Sequence, residues 1–548
     1  MTSLTRRQVD MLSYDIIEHS GVPLYEQLYQ RIRHDIAHGI IAPGEKLPSK
    51  RALAKHLGIS VITVEGAYNQ LVAEGYMVAR QRSGYFACDL APAAKSGSPL
   101  MPRCAETPDR EIGETRKGSD ADSGSASARQ QAPVSAPVRQ QASDAATPPK
   151  PVLADLTRSS AATELFPYAA WAKVMRETLS SETAETLAQA ASAGGSLRLR
   201  QAISRHLRST RGMDVQPRQI VIGAGSQTLY QLIIQLLGRQ RRYAVEDPGY
   251  PLLLHMYRGN GVDIRPIPLD EQGIDVEALS ASGVSIAHVM PSHQFPTGII
   301  TSAARRRQLL NWAREDDARA PGGRFIIEDD YDSEFRMAGR PVPTLFSIDA
   351  ARRVLYVNSF AKTLGDAFRL AYLVLPEHLV EPFEKNLGFY SNTVSPIDQL
   401  TLARFIEGGR YERHVNKLRT RARQAQNELV AALRECEIGD RLSFQGLDGG
   451  LHFLMQVKDE RNEDQLAAAA GETQVEATDD ETQLTAAARE EAQLADAAAH
   501  EGVLLAPLGN FRQDGIQEGD PNFVIRFDSL QPNQATAIVT ALTRAFRE

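Results

Sequence analysis

Apolar residues recur every four positions at Leu24, Leu28, Ile32 and Ile36, which predicts an amphipathic helix from Leu24 to Ile40 with one face to be covered. Pro43 and Gly44 break it. A second, short helix is predicted from Pro48–Ser49, where a proline and a capping hydroxyl suit a first turn; Leu53, Ala54 and Leu57 face inward and Gly58 stops it. Ser60 caps a third helix whose buried stripe is Val64, Ala67, Tyr68, Leu71 and Val72, so Ile62, Thr63, Glu65, Gly66, Asn69 and Gln70 face outward. Two short β runs, Met77–Ala79 and Tyr85–Ala87, then bracket a tight turn at 80–84. Two short helices across a glycine turn, followed by a hairpin, form the helix-turn-helix and wing pattern, in which the second helix of the pair enters the DNA major groove. A small helical cap without a ligand is the competing reading.

The pattern stops after Phe86. Residues 102–150 contain no aromatic side chain, and their only large aliphatics are Ile112, Val134 and Val138, too little apolar surface to offset the entropy of ordering. We therefore expect a winged helix-turn-helix head over 1–90, a disordered linker over 91–151, and a body over 152–548. In the body, apolar β-rich runs at Gln219–Ile222, Ile286–Met290, Phe325–Ile327, Val354–Val357 and Leu370–Leu375 alternate with helical periodicity, which predicts an α/β fold with a largely parallel sheet. A polar stretch at about 458–483 reads as a mobile surface insertion.

Charge and cysteine usage narrow the function classes. The formal net charge of −7 excludes a chain coated in basic residues but not a local nucleic-acid face; the head, with ten Lys and Arg against eight Asp and Glu in residues 1–87, is only +2. Cys88, Cys104 and Cys436 show no metal or disulfide spacing, so no metal site is expected and a reducing cytosol fits. The N-terminus has no long apolar core and no run reaches membrane-span length, so a soluble, cytoplasmic protein is expected.

Four patterns in the body converge on one chemistry. The run from Gln219 to Gln235 reads as strand, glycine turn and helix, with Leu229, Leu232, Ile233 and Leu236 inward, and its helix start presents backbone N–H groups with Ser226 and Gln227 as a phosphate cradle. The run from Phe325 to Phe335 is a buried strand delivering acids to its carboxyl end, the edge at which open α/β sheets bind ligands. A pyridinium nitrogen needs a carboxylate beside it to stay protonated, and Asp329 is the choice, with Tyr331 set to bond the ring hydroxyl. Lys362 lies in a loop between two apolar strands, where partial desolvation would lower its pKa as Schiff-base chemistry requires. Arg526, alone in an apolar strand near the C-terminus, needs a carboxylate partner, structural or a ligand's. Taken singly, each pattern has a bland counterpart: an ordinary strand–helix turn, a solvated acidic loop or divalent-metal cluster, a surface lysine, an internal ion pair.

The residues from Pro23 to Phe86 closely resemble the GntR-family DNA-binding domain, and the body resembles the fold-type I aminotransferases; the combination looks like the MocR subgroup of GntR regulators. That resemblance implies Ser49, Arg51, Ser60, Thr63, Arg82, Ser83 and Gly84 as DNA contacts. Pyridoxal 5′-phosphate (PLP) is implied as cofactor, with Lys362 as its Schiff-base lysine, Asp329 at the ring nitrogen, Tyr331 on the phenolic oxygen and Tyr250 stacked on the ring. Ser226, Gln227, Ser359 and Arg369 would surround the phosphate, and Arg526 would hold an effector carboxylate. Two departures matter: Val61 stands where the family commonly has arginine, and Phe295 replaces the asparagine that in the enzymes bonds the phenolic oxygen, a task for which His293 or Gln294 could substitute. Glu65 is a further base-contact candidate, to cytosine N4. The implied protein is a head-to-tail homodimeric transcription regulator that binds an operator in double-stranded DNA and responds to PLP or to an amino compound forming an external aldimine. The alternative is a working aminotransferase with a DNA-binding appendage, the catalytic capacity being the open point. A third reading is a scaffold that only buffers PLP.

Overall fold

The computed structural model describes residues 14, 23–37, 40–73, 76–80, 84–88, 151–158, 165–189, 191–315, 322–336, 342–458, 486–513, 520–531 and 533–547. Most of the expected linker, the insertion expected at about 458–483 (bar Lys458), Arg82 and Ser83 lie outside these residues.

In the head, α1 (Leu24–Ala37) buries Leu28, Ile32 and Ile36, whereas Ile40, which the periodicity counted into this helix, is 67% exposed. The next helix, α2 (Lys50–Leu57), starts where Ser49 Oγ accepts from Ala52 N at 3.2 Å and ends at Gly58, whose φ of 69° only glycine adopts without strain. Ser60 caps α3 (Val61–Ala73) by accepting from Thr63 N at 3.0 Å. Its stripe of Val64, Ala67, Tyr68 and Leu71 is fully buried, and Val72 is half-buried. Gln70, expected to face outward, is buried instead, because the position next to Leu71 falls on the edge of that stripe. The wing strands β2 (Met77–Arg80) and β3 (Gly84–Ala87) pair antiparallel, and β1 (Lys46–Leu47) adds a third strand on the far side of β3, which the sequence pattern did not indicate.

The body begins with the short strand β4 (Ala154–Asp155), which pairs with β15 (Val503–Leu504). Its main sheet has eight strands: β5 (Ile220–Gly223), β6 (Arg242–Asp247), β7 (Asp263–Asp270), β8 (Gly273–Ile274), β9 (Ile286–Val289), β10 (Phe325–Asp329), β11 (Val354–Ser359) and β12 (Ala371–Val374). The spatial order is β5-β12-β11-β10-β9-β6-β7-β8. The five strands from β11 to β7 run parallel, as strands buried on both faces between helical crossovers do. The run at Leu370–Leu375, expected within the parallel set, becomes the antiparallel β12, because the short loop after β11 is too short for a crossover and turns the chain straight back. That reversal brings Lys362 and Arg369, both in the loop, to the edge where β10 and β11 end.

A second, antiparallel sheet has the order β13-β14-β17-β16, with β13 (Leu442–Gln445), β14 (His452–Val457), β16 (Ala506–Pro507) and β17 (Asn522–Arg526). Its register sets His452 opposite Arg526. The helix Ser226–Leu237 buries Leu229, Tyr230, Ile233, Ile234 and Leu237, while Leu232 and Leu236, expected fully inward, are half-buried. The buried face is thus rotated toward Tyr230, which has a use at the carboxyl edge of the sheet.

Candidate cofactor pocket and DNA-contact face

At the carboxyl end of β10 four acids stand close together, and each is held differently. Glu328 accepts from the backbone N–H groups of Leu345 and Phe346, both at 2.8 Å. Asp330 is paired with the buried Arg211 at 2.5 Å and accepts from Tyr356 Oη at 2.6 Å. Asp332 Oδ2 is 3.0 Å from His293 Nδ1. Asp329 Oδ2 accepts from Tyr230 Oη at 2.5 Å and lies 3.4 Å from His288 Nε2, while Oδ1 carries no hydrogen bond among the described residues. Among the described residues Asp329 Oδ1 is left without a protein partner, as is the buried Asp330 Oδ1, whose other oxygen is held by Arg211 and Tyr356. Burial, with Asp329 next to it, pushes the Tyr230 phenol well above its ordinary pKa, so it stays a donor to that carboxylate. Tyr230 and His288 were not singled out in the sequence, and a tyrosine one place from an aliphatic stripe gives no signal of its role.

Lys362 lies in the short helix Ala361–Leu364 after β11, and Ala361 N donates to Ser359 Oγ at 3.2 Å. Burial lowers the Lys362 pKa; Asp528 works against that shift and Arg526 with it. Among the described residues its ammonium makes no hydrogen bond or ion pair. Arg369, at the other end of the loop, has a φ of 47° and extends over Gly225; a Cβ there would sit 2.7 Å from its Nη2. Gly225 N-caps the helix that opens with Ser226 and Gln227, so a guanidinium and free helix N–H groups meet over bare backbone. This cradle suits a phosphate, and the carboxylate, lysine and cradle together fit PLP.

Around the mouth, Phe295 is buried and set edge-on to Tyr250 (5.9 Å between centroids) and Tyr331 (6.4 Å). The Arg526 guanidinium stacks on the Phe295 ring at 4.9 Å and has no carboxylate partner among the described residues. Tyr331 Oη lies 3.3 Å from His293 Nδ1, so His293, not Gln294, touches the phenol that the resemblance puts on the cofactor's oxygen. Gln294 is tied to backbone, donating to the carbonyls of Pro248 at 2.9 Å and Phe295 at 2.7 Å.

In the head, Arg51 is exposed at the start of α2. Ser49 and Ser60 act as helix caps, and Thr63 Oγ1 is 2.8 Å from Ser60 Oγ. Gly84 opens β3 with a φ of 108°. Glu65 is bound by Lys50 Nζ at 2.5 Å, so the cytosine contact expected of it competes with an ion pair already made. Val61 and Ile62, at the tip of α3, are 42% and 80% exposed.

An open, mainly parallel sheet with lysine, acid and phosphate cradle at one edge defines the aminotransferase class, here behind a winged helix-turn-helix head. The aminotransferase class I and II family matches residues 159–509, and the gntR family of bacterial regulatory proteins matches residues 24–86. The chain is 34% identical over 436 residues to the uncharacterized HTH-type transcriptional regulator YdeL of Bacillus subtilis, covering 80% of this chain and 84% of that one. It is 28% identical to the probable rhizopine catabolism regulatory protein MocR of Rhizobium meliloti, over 79% of this chain and 82% of that one. A similar 28% relates it to the HTH-type pyridoxine biosynthesis transcriptional regulator PdxR of Corynebacterium glutamicum, over 80% and 84%. Among solved structures, the multiple substrate aminotransferase of Thermococcus profundus superposes with a TM-score of 0.58 at 22% identity, covering 72% of this chain and 91% of that one, a likeness of fold. The chain belongs to the MocR-type HTH transcriptional regulators, in which a GntR head is joined to an aminotransferase body. No helix among the described residues is long and apolar enough to cross a membrane.

Proposed function

We propose that this regulator holds PLP in the body pocket and that an amino compound with a carboxylate is its effector. When bound, PLP supplies an electrophilic carbon and an electron-withdrawing ring. Lys362 would provide the amine that anchors it, Asp329 would keep the ring nitrogen protonated, and Ser226, Gln227, Ser359 and Arg369 would hold the phosphate. Tyr250 would stack on the ring, and Tyr331, in contact with His293, would hold a proton at the phenolic oxygen. The observation that carries the effector reading is Arg526: a guanidinium stacked on Phe295 with no carboxylate of its own, near a lysine whose ammonium is unpaired.

In the head, Ser49, Arg51, Ser60, Thr63, Arg82, Ser83 and Gly84 contact the operator, with Arg51 on phosphate. The exposed Val61 and Ile62 meet thymine methyl groups, which takes the place of the arginine contact that this chain lacks. The protein acts as a homodimer, a reading supported by the exposed Phe389 and Tyr390 on the body. Placing the head over 1–90, the linker over 91–151 and the body over 152–548 is part of the same proposal.

The test is to add PLP to full-length protein and trap the product with borohydride. Wild type should carry the label on Lys362, and Lys362→Ala should carry none. Trapping unchanged in that variant would overturn the assignment, and keto-acid formation at ordinary enzyme turnover would favour the aminotransferase alternative.

A further inference from the structure

The geometry points to a second ligand site, and we propose that His293, Asp332 and His452 bind a divalent first-row transition cation. The three are distant in sequence, which is why no metal spacing is visible there, yet they meet where the loop before Phe295, the turn after β10 and the start of β14 converge. All three are buried, at 4%, 3% and 2% exposure, and one donor atom from each lies within 4.8 Å of the others. The two imidazole rings are 4.5 Å apart.

Each residue offers one ligand atom to this cluster. His293 Nδ1 and Asp332 Oδ2 lie 3.0 Å apart, so a cation that displaces the proton between them meets both donors on one side of the ring. His452 bonds the Pro296 carbonyl, an acceptor only, and Nε2 is its buried nitrogen left without a partner. The bare lone pair of His452 and the His293–Asp332 pair therefore meet in one buried cluster. A histidine whose other ring N–H is given to a backbone carbonyl, as in His452, is the arrangement found at metal ligands.

The donor set selects the ion. Two imidazoles and one carboxylate suit zinc and its first-row neighbours, whereas magnesium and calcium require oxygen. Metal–ligand bonds of about 2.0–2.1 Å put donor atoms roughly 3.4 Å apart, so imidazole rotation by on the order of an ångström closes the set. Asp332 brings negative charge, and Asp528 offsets Lys362 nearby. Gly450 leaves the room: a Cβ there would lie 2.0 Å from His293 Cε1 and 2.6 Å from Asp332 Oδ2. None of this depends on PLP.

The experiment titrates chelator-stripped full-length protein with Zn²⁺ against a chromophoric indicator, and separately with Co²⁺ by visible absorption. One Zn²⁺ per chain is expected, with affinity lowered roughly 100-fold or more in His452→Gln and His293→Gln, about 10-fold in Asp332→Asn, and unchanged in the exposed His255→Gln. Millimolar Mg²⁺ should not compete. Identical Zn²⁺ isotherms in wild type and in folded His452→Gln and His293→Gln would overturn the proposal. So would a Co²⁺ spectrum in wild type that stays that of the hydrated ion, a result that needs no variant to fold.

Discussion

Glu246, at the end of β6, is buried, with its Oε2 accepting from Met290 N at 3.1 Å and its Oε1 without a partner. Burial pushes its pKa from 4.5 to about 8. The folded chain then keeps a proton that the unfolded chain releases near pH 4.5, so this residue makes the protein less stable as pH rises from about 4.5 to about 8. Glu246→Gln should raise the melting temperature at pH 8, by an amount worth a few kcal/mol, and have little effect at pH 4.5. An equal effect at both pH values, in thermal melts, would contradict the buried protonated acid. Arg526→Leu removes a charge-assisted bidentate partner for a carboxylate, and calorimetric titration of amino acids into PLP-loaded protein should show on the order of a 10²-fold loss of affinity. PLP itself should bind as before, because Lys362 and the phosphate cradle are separate from Arg526.

At the scale of elements, the head was readable because each helix carries its own start and stop. Ser49, Gly58 and Ser60 cap as their residue types dictate, and the apolar periodicity fixes the faces. The body strands were readable as apolar runs, but the direction of β12 was not, since a run buried on both faces looks alike in either direction. Long-range partners were illegible for the same physical reason: Tyr230 on Asp329 is a bond across 99 residues, and no local period encodes it. At the tip of α3 the periodicity already turned Ile62 outward and Val61 stood out as a departure from the family pattern; their exposure turns that departure into an expectation. Ile62→Gln should weaken binding to thymine-containing operator DNA and leave the salt dependence unchanged, because a methyl contact releases no counterion. Arg51→Ala should instead reduce the slope of log affinity against log salt by about one, without altering PLP absorbance. Quantitative electrophoretic mobility shifts at several salt concentrations separate the two; a changed slope in Ile62→Gln would place a phosphate contact there.

For the whole molecule, the account requires that the pocket and the head be linked by differential binding: a ligand biases the regulator only if it favours one arrangement over another. Phe295 in place of an asparagine, and Arg526 stacked on it, suit a body that recognises an amino compound more than one that turns it over. The most direct measurement is a DNase footprint on DNA flanking the chain's own gene, with full-length protein, with and without PLP and a panel of amino acids. The account predicts a protected region whose extent or affinity changes with PLP or with PLP plus one amino compound, and a Lys362→Ala protein that still binds DNA but no longer responds. A footprint indifferent to every ligand in wild type, or one that responds equally in Lys362→Ala, would contradict it.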